Sequence, residues 1–162
     1  MSRRGHRSTP RICWWNTRVD RPEGGGPMDK ILIFSDPHLV APGGTMRGVD
    51  PAARLRHAFD CAAAAHPDAG RAVICGDLVQ DGTEAEYAVL RPLIDAAPWP
   101  VSLMMGNHDL RAGFRAVFPE VPVDADGFVQ STVEVAGTTL ILLDTLRRGR
   151  LRPSIRASLR GA

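Results

Sequence analysis

Three short clusters in this 162-residue chain hold the groups that could do chemistry: Asp36-Pro37-His38, Gly76-Asp77 and Gly106-Asn107-His108-Asp109. Together they offer carboxylate oxygen, imidazole nitrogen and amide oxygen. That mixed hard and borderline donor set suits manganese, iron or zinc and needs no thiolate. Taken singly, each cluster is ordinary. An isolated Asp after a strand is commonly a helix cap or turn former, Asn107 a turn residue, and Gly76 and Gly106 the residues of tight turns. A lone His38 is more often a hydrogen-bonded or surface residue. The case for a metal centre rests on coincidence, because all three clusters follow directly on strand-like segments.

The elements that must position these groups alternate between two patterns. Ile31-Leu32-Ile33-Phe34 and Ala72-Val73-Ile74-Cys75 are short apolar runs of the kind expected in strands covered on both faces, and residues 101–105 supply a third strand. Asp50 and Pro51 form an N-cap and first helical residue, Leu55, Ala58, Phe59 and Ala62 line one face, and His66-Pro67 ends the helix. Thr83 with Glu86 makes a capping box for a second helix, whose inner face is expected at Tyr87, Leu90, Ile94 and Ala97. Pro92 predicts a kink or early stop there. Strand, helix, strand, helix, strand implies a parallel sheet with crossover helices, whose site lies beyond the carboxyl ends of the strands. Residues 128–135 and 138–144 flank Ala136-Gly137 and predict an antiparallel hairpin.

Asp-x-His, then Gly-Asp, then Gly-Asn-His-Asp resembles the opening half of the calcineurin-like metallophosphoesterase signature. Ile33-Phe34-Ser35-Asp36-Pro37-His38, Gly76-Asp77-Leu78-Val79-Gln80-Asp81-Gly82, Glu86-Tyr87, Asn107-His108-Asp109-Leu110-Arg111 and Leu143-Asp144-Thr145 look most like its class III cyclic-nucleotide phosphodiesterase branch. That branch also includes glycerophosphodiester hydrolases. The resemblance implies an α/β fold, a sandwich of two mixed sheets flanked by helices. It implies two divalent ions, with Asp36 and His38 on the first, Asp77 shared and Asn107 on the second. Ions roughly 3.5 to 4 Å apart bind a phosphoryl oxygen and acidify a water. His38, Asn107 and His108 would meet the substrate, His108 serving the leaving alkoxide or the phosphorane charge and Asp109 orienting His108. The family signature continues with a further His and a Gly-His-x-His motif, whereas the histidines here are 6, 38, 57, 66 and 108. The expected fold is therefore C-terminally incomplete.

Charge divides the chain in the same way. Residues 1–27 hold six Arg against two acids, residues 28–144 hold eight basic against 16 acidic groups, and residues 145–162 hold six Arg and no acid. We expect a flexible basic extension over 1–27 that closes in Pro22-Glu23-Gly24-Gly25-Gly26-Pro27, with Met28 as a candidate natural start. Residues 28–144 read as the N-terminal half of a phosphoesterase domain, and 145–162 as an aberrant or disordered tail left by a frame disruption. Trp14-Trp15 and His6 fall in the extension. Cys13, Cys61 and Cys75 form an odd set without metal spacing, which fits a reducing compartment and so the cytoplasm. No apolar run approaches the ~20 residues a bilayer demands.

Cys75 reads as core, His57 and His66 as solvated, and Arg111 and Arg115 as a solvated helix face rather than phosphate ligands. The first functional reading is a dimetal phosphoric diester hydrolase for 3',5'-cyclic nucleotides or related small phosphodiesters. A second is a non-catalytic remnant that binds metal weakly or associates through an exposed sheet. A nuclease with basic ends gripping nucleic acid is the third, and the acidic middle argues against it.

Overall fold

The structure, a computed structural model, describes residues 30–146. The extension over 1–27 and the tail from residue 147 lie outside the described residues. The elements run β1 (Lys30–Phe34), α1 (Pro51–Ala65), β2 (Ala69–Cys75), α2 (Glu84–Asp95), β3 (Val101–Met104), α3 (Arg111–Val117), β4 (Ser131–Val135) and β5 (Thr138–Leu142). The first three strands form one parallel sheet in the order β1-β2-β3, with α1 and α2 as crossovers. β4 and β5 pair antiparallel as a separate hairpin. Its turn residues Ala136 and Gly137 have φ of 49° and 76°, the paired positive values of the tight turn that matches strand twist. Both expected sheets are thus begun, one wholly parallel and one antiparallel.

The helices start where side-chain chemistry requires. Asp50 Oδ1 accepts from the amides of Ala52 and Ala53 at 2.9 and 3.2 Å, ahead of Pro51, whose missing N–H costs nothing there. At α2, Thr83 and Glu86 exchange reciprocal hydrogen bonds. Glu86 is buried, and its Oε2 also accepts from Asp81 N at 3.1 Å, so the cap ties the preceding loop to the helix. Pro92 sits one turn before the helix end and is accommodated without breaking it. The inner face of α2 is carried by Glu86, Tyr87, Leu90 and Leu93, with Ile94 only half-buried.

Register places Leu32, Ala72 and Val101 side by side, and likewise Phe34, Ile74 and Leu103. This face meets Leu55 and Phe59 of α1 and Tyr87 and Leu90 of α2 in one core. Phe59 packs edge-on to both Phe34 and Trp99, at centroid distances of 4.8 and 5.9 Å. On the opposite face Ile33 is 70% exposed, which corrects the expectation that β1 is covered on both sides. Among the described residues β1 is an edge strand, and its continuous apolar run hides that asymmetry.

Candidate metal centre

The loops leaving β1 and β2 are laced together before any site residue is placed. Asp36 N donates to Gly76 O at 3.3 Å, His38 N to Asp77 O at 3.0 Å and Leu39 N to Leu78 O at 3.1 Å. Leu39 and Val79, both fully buried, complete a parallel bridge. Within this lacing Asp36, His38 and Asp77 adopt φ of 53°, 45° and 46°. Such left-handed backbone costs of order 1 kcal/mol or more for a residue with a Cβ, and it persists where surrounding contacts overdetermine it. The loop after β3 closes against them. A Cβ on Gly106 would fall on the amide and carboxylate of Asp77, and one on Gly76 would lie 2.9 Å from Gly106 Cα. Only glycine lets these loops approach so closely.

Asp36, Asp77 and Asn107 line a cleft of about 390 Å³ floored by Cys75, Met104, Met105 and Leu143. His38, Asp77 and His108 each bring a ligand atom within 4.8 Å of the others. His38 Nε2 lies 3.7 Å from Asp77 Oδ2. That is beyond a hydrogen bond, but it is the span of two bonds of about 2.1 Å from one cation at an angle near 120°. Asp77 Oδ1 accepts from His108 N at 2.9 Å. The Asp36 carboxylate is exposed and accepts from the Ser35 hydroxyl. The donor set fits a divalent cation.

The ring of His108 is held by a carbonyl, that of Gln80, 2.8 Å from Nδ1. A carbonyl can only accept, so Nδ1 carries the proton and Nε2 is free. His38 Nδ1 lies 3.1 Å from Gln80 Oε1, and the two rings stand edge-on with centroids 4.8 Å apart. Asp109 was expected to orient His108; in the structure the His108 ring meets the Gln80 carbonyl. Asp109 is fully buried instead, accepting from Leu78 N (3.1 Å), Val79 N (3.3 Å), Gly106 N (2.7 Å) and Tyr87 Oη (2.9 Å). It clamps the second and third loops to α2. Burial raises its pKa while these hydrogen bonds oppose the rise.

Three other expectations need correction. Cys75 is a half-buried free thiol on the cleft floor rather than core, its pKa raised by burial and by Asp36. Arg111 is not a solvated cation. Its Nε and Nη2 each donate to Asp144 at 2.7 Å, and its guanidinium stacks 4.8 Å from the Phe128 ring centre. His66 terminates α1 and approaches Lys30 Nζ at 3.5 Å, while His57 is exposed and near Cys61 Sγ.

A parallel sheet whose strand ends converge on carboxylate and imidazole donors defines a class, and comparison with known proteins agrees. Residues 29–149 match the calcineurin-like phosphoesterase family, and the chain belongs to it. Over 117 residues it is 41% identical to a probable cyclic nucleotide phosphodiesterase of Rhodopseudomonas palustris, covering 72% of this chain and 43% of that protein. It is 32% identical over 87 residues to a glycerophosphodiester phosphodiesterase of Enterobacter lignolyticus, covering 51% and 30%. A 3',5'-cyclic adenosine monophosphate phosphodiesterase of Pseudomonas aeruginosa is 28% identical over 116 residues, covering 71% and 41%. The chain spans less than half the length of these relatives. Among the described residues no helix is long and apolar enough to cross a membrane.

Proposed function

We propose that the protein is a metal-dependent phosphoric diester hydrolase acting on 3',5'-cyclic nucleotides or related small phosphodiesters, with residues 28–144 as the N-terminal half of the domain. The observation that carries this reading is the gathering of His38, Asp77 and His108 within 4.8 Å at the carboxyl end of the parallel sheet. Asp36, His38, Asp77 and Asn107 would hold two divalent ions, iron, manganese or zinc, with Asp77 common to both. When bound, such ions polarise a phosphoryl oxygen and lower the pKa of water.

The chain's own groups do the rest. His108, with Nδ1–H committed to the Gln80 carbonyl, keeps Nε2 available to pass a proton to the leaving alkoxide or to hydrogen-bond the phosphoryl group. His38 and Asn107 would contact the substrate as well. Asp109 keeps the loops in register beneath them, so its contribution to catalysis runs through Gly106 and Leu78. The cyclic-nucleotide assignment is supported by the names of the relatives in R. palustris and P. aeruginosa. Hydrolysis of bis(p-nitrophenyl) phosphate and of 3',5'-cyclic AMP with added Mn²⁺ tests the proposal. Turnover that a chelator abolishes is expected. Absent or chelator-insensitive turnover contradicts it and favours a non-catalytic domain.

A further inference from the structure

We infer that Gln80 sets the tautomer and orientation of both imidazoles at this site, through its side-chain amide for His38 and its main-chain carbonyl for His108. The inference rests on the metal-centre reading above, and deepens it by naming the residue that aims the two rings. Gln80 is itself well anchored. Its N–H donates to Leu39 O at 2.9 Å, Val79 before it is fully buried, and Asp81 after it donates to the α2 cap. One residue thus presents two acceptors to two rings that lie 42 and 28 positions away in sequence.

The chemical consequence follows from what each acceptor permits. The carbonyl, which can only accept, fixes Nδ1–H on His108, and the side-chain amide, which presents its oxygen to His38 Nδ1 at 3.1 Å, favours Nδ1–H there. Both rings are held away from the Nε2–H form that a free histidine favours, and both Nε2 lone pairs are left for the cluster. On His38 that lone pair is the one facing Asp77. The bond made by the remote ring nitrogen decides which nitrogen can ligate. Gln80 is a positioning residue in this account and touches neither substrate nor ion.

Nitrogen-15 NMR of the histidine rings in the metal-free chain, recorded well above the usual imidazole pKa of about 6.5, reads the tautomers directly. Wild type is expected to show Nδ1–H on both His38 and His108. Gln80→Met keeps the bulk and the main-chain carbonyl but removes the amide, so His38 should move to the Nε2–H form while His108 stays. Gln80→Glu retains an acceptor and should keep both. Zn²⁺ titration of the same proteins should show affinity falling 10- to 100-fold in Gln80→Met and restored in Gln80→Glu. His38 in the Nε2–H form in wild type, or unmoved in Gln80→Met, overturns the inference. So does a joint change of both rings in Gln80→Met, which would mark Gln80 as merely structural. If wild type binds no Zn²⁺, the metal-centre reading fails, while the tautomers still decide the role of Gln80.

Discussion

At the scale of single residues, the site depends on buried groups that never face the cleft. Tyr87 is the only tyrosine in the chain and is fully buried, its hydroxyl donating to Asp109 and accepting from Leu110 N at 3.1 Å. Burial first, then the neighbouring Asp109 carboxylate, raises its pKa far above the ordinary 10.0. Because the folded value exceeds the unfolded one, the stability this adds is complete below pH 10 and lost only as pH climbs towards the folded value. A spectrophotometric titration should therefore show no tyrosinate near pH 10, the signal appearing only with alkaline unfolding; ordinary titration of the folded chain at about 10 would refute it. Asp109→Ala strands three amides and that hydroxyl. At about 1 to 3 kcal/mol for each unsatisfied buried group, partly relieved by water, it should cost about 3 kcal/mol or more in urea unfolding. Asp36, His38, Asp77, Asn107 and His108 stood out by their types and their position after strands, and the structure gathers His38, Asp77 and His108. The part played by Asp109 was not legible, because three of its four partners sit 22 to 31 residues away and no local pattern encodes them.

Among elements, α1 and α2 were the most legible, since caps and apolar spacing are local signals. Asp50-Pro51 and Thr83 with Glu86 begin both helices where the sequence predicts. The Glu86 carboxylate accepts three hydrogen bonds, from Asp81 N, Thr83 N and Thr83 Oγ1. Thr83→Ala should cost about 1 kcal/mol by thermal or urea unfolding. Glu86→Ala should cost more and should also loosen the Asp81 amide, seen as faster hydrogen exchange there; equal costs and unchanged exchange would mean that the cap does not anchor the loop. The exposure of Ile33 was not legible, because an apolar run looks the same in a central strand and in an edge strand with one open face. Nor were the left-handed conformations of Asp36, His38 and Asp77 visible, since lacing between loops imposes them.

Over the whole molecule, one buried ion pair joins the hairpin region to the start of α3. Asp144 accepts from Arg111, from Val129 N at 2.9 Å and from Leu146 N at 3.0 Å. Removing one partner of such a pair costs about 3 to 5 kcal/mol. Asp144→Ala should accordingly speed hydrogen exchange across β4 and β5 while leaving β1 to β3 protected; uniform protection in both would show that the pair is not the tie. Its two halves are visible in the sequence, yet their meeting across 33 residues is a tertiary event. In the proposed centre, three strand-end loops gather into one cation-binding pocket with Asp77 at its middle. Calorimetric titration of Mn²⁺ into wild type, Asp77→Ala and His108→Ala tests it most directly. Saturable binding is expected in wild type and His108→Ala, and none in Asp77→Ala. Equal binding in all three, or equal loss in both variants, would contradict it.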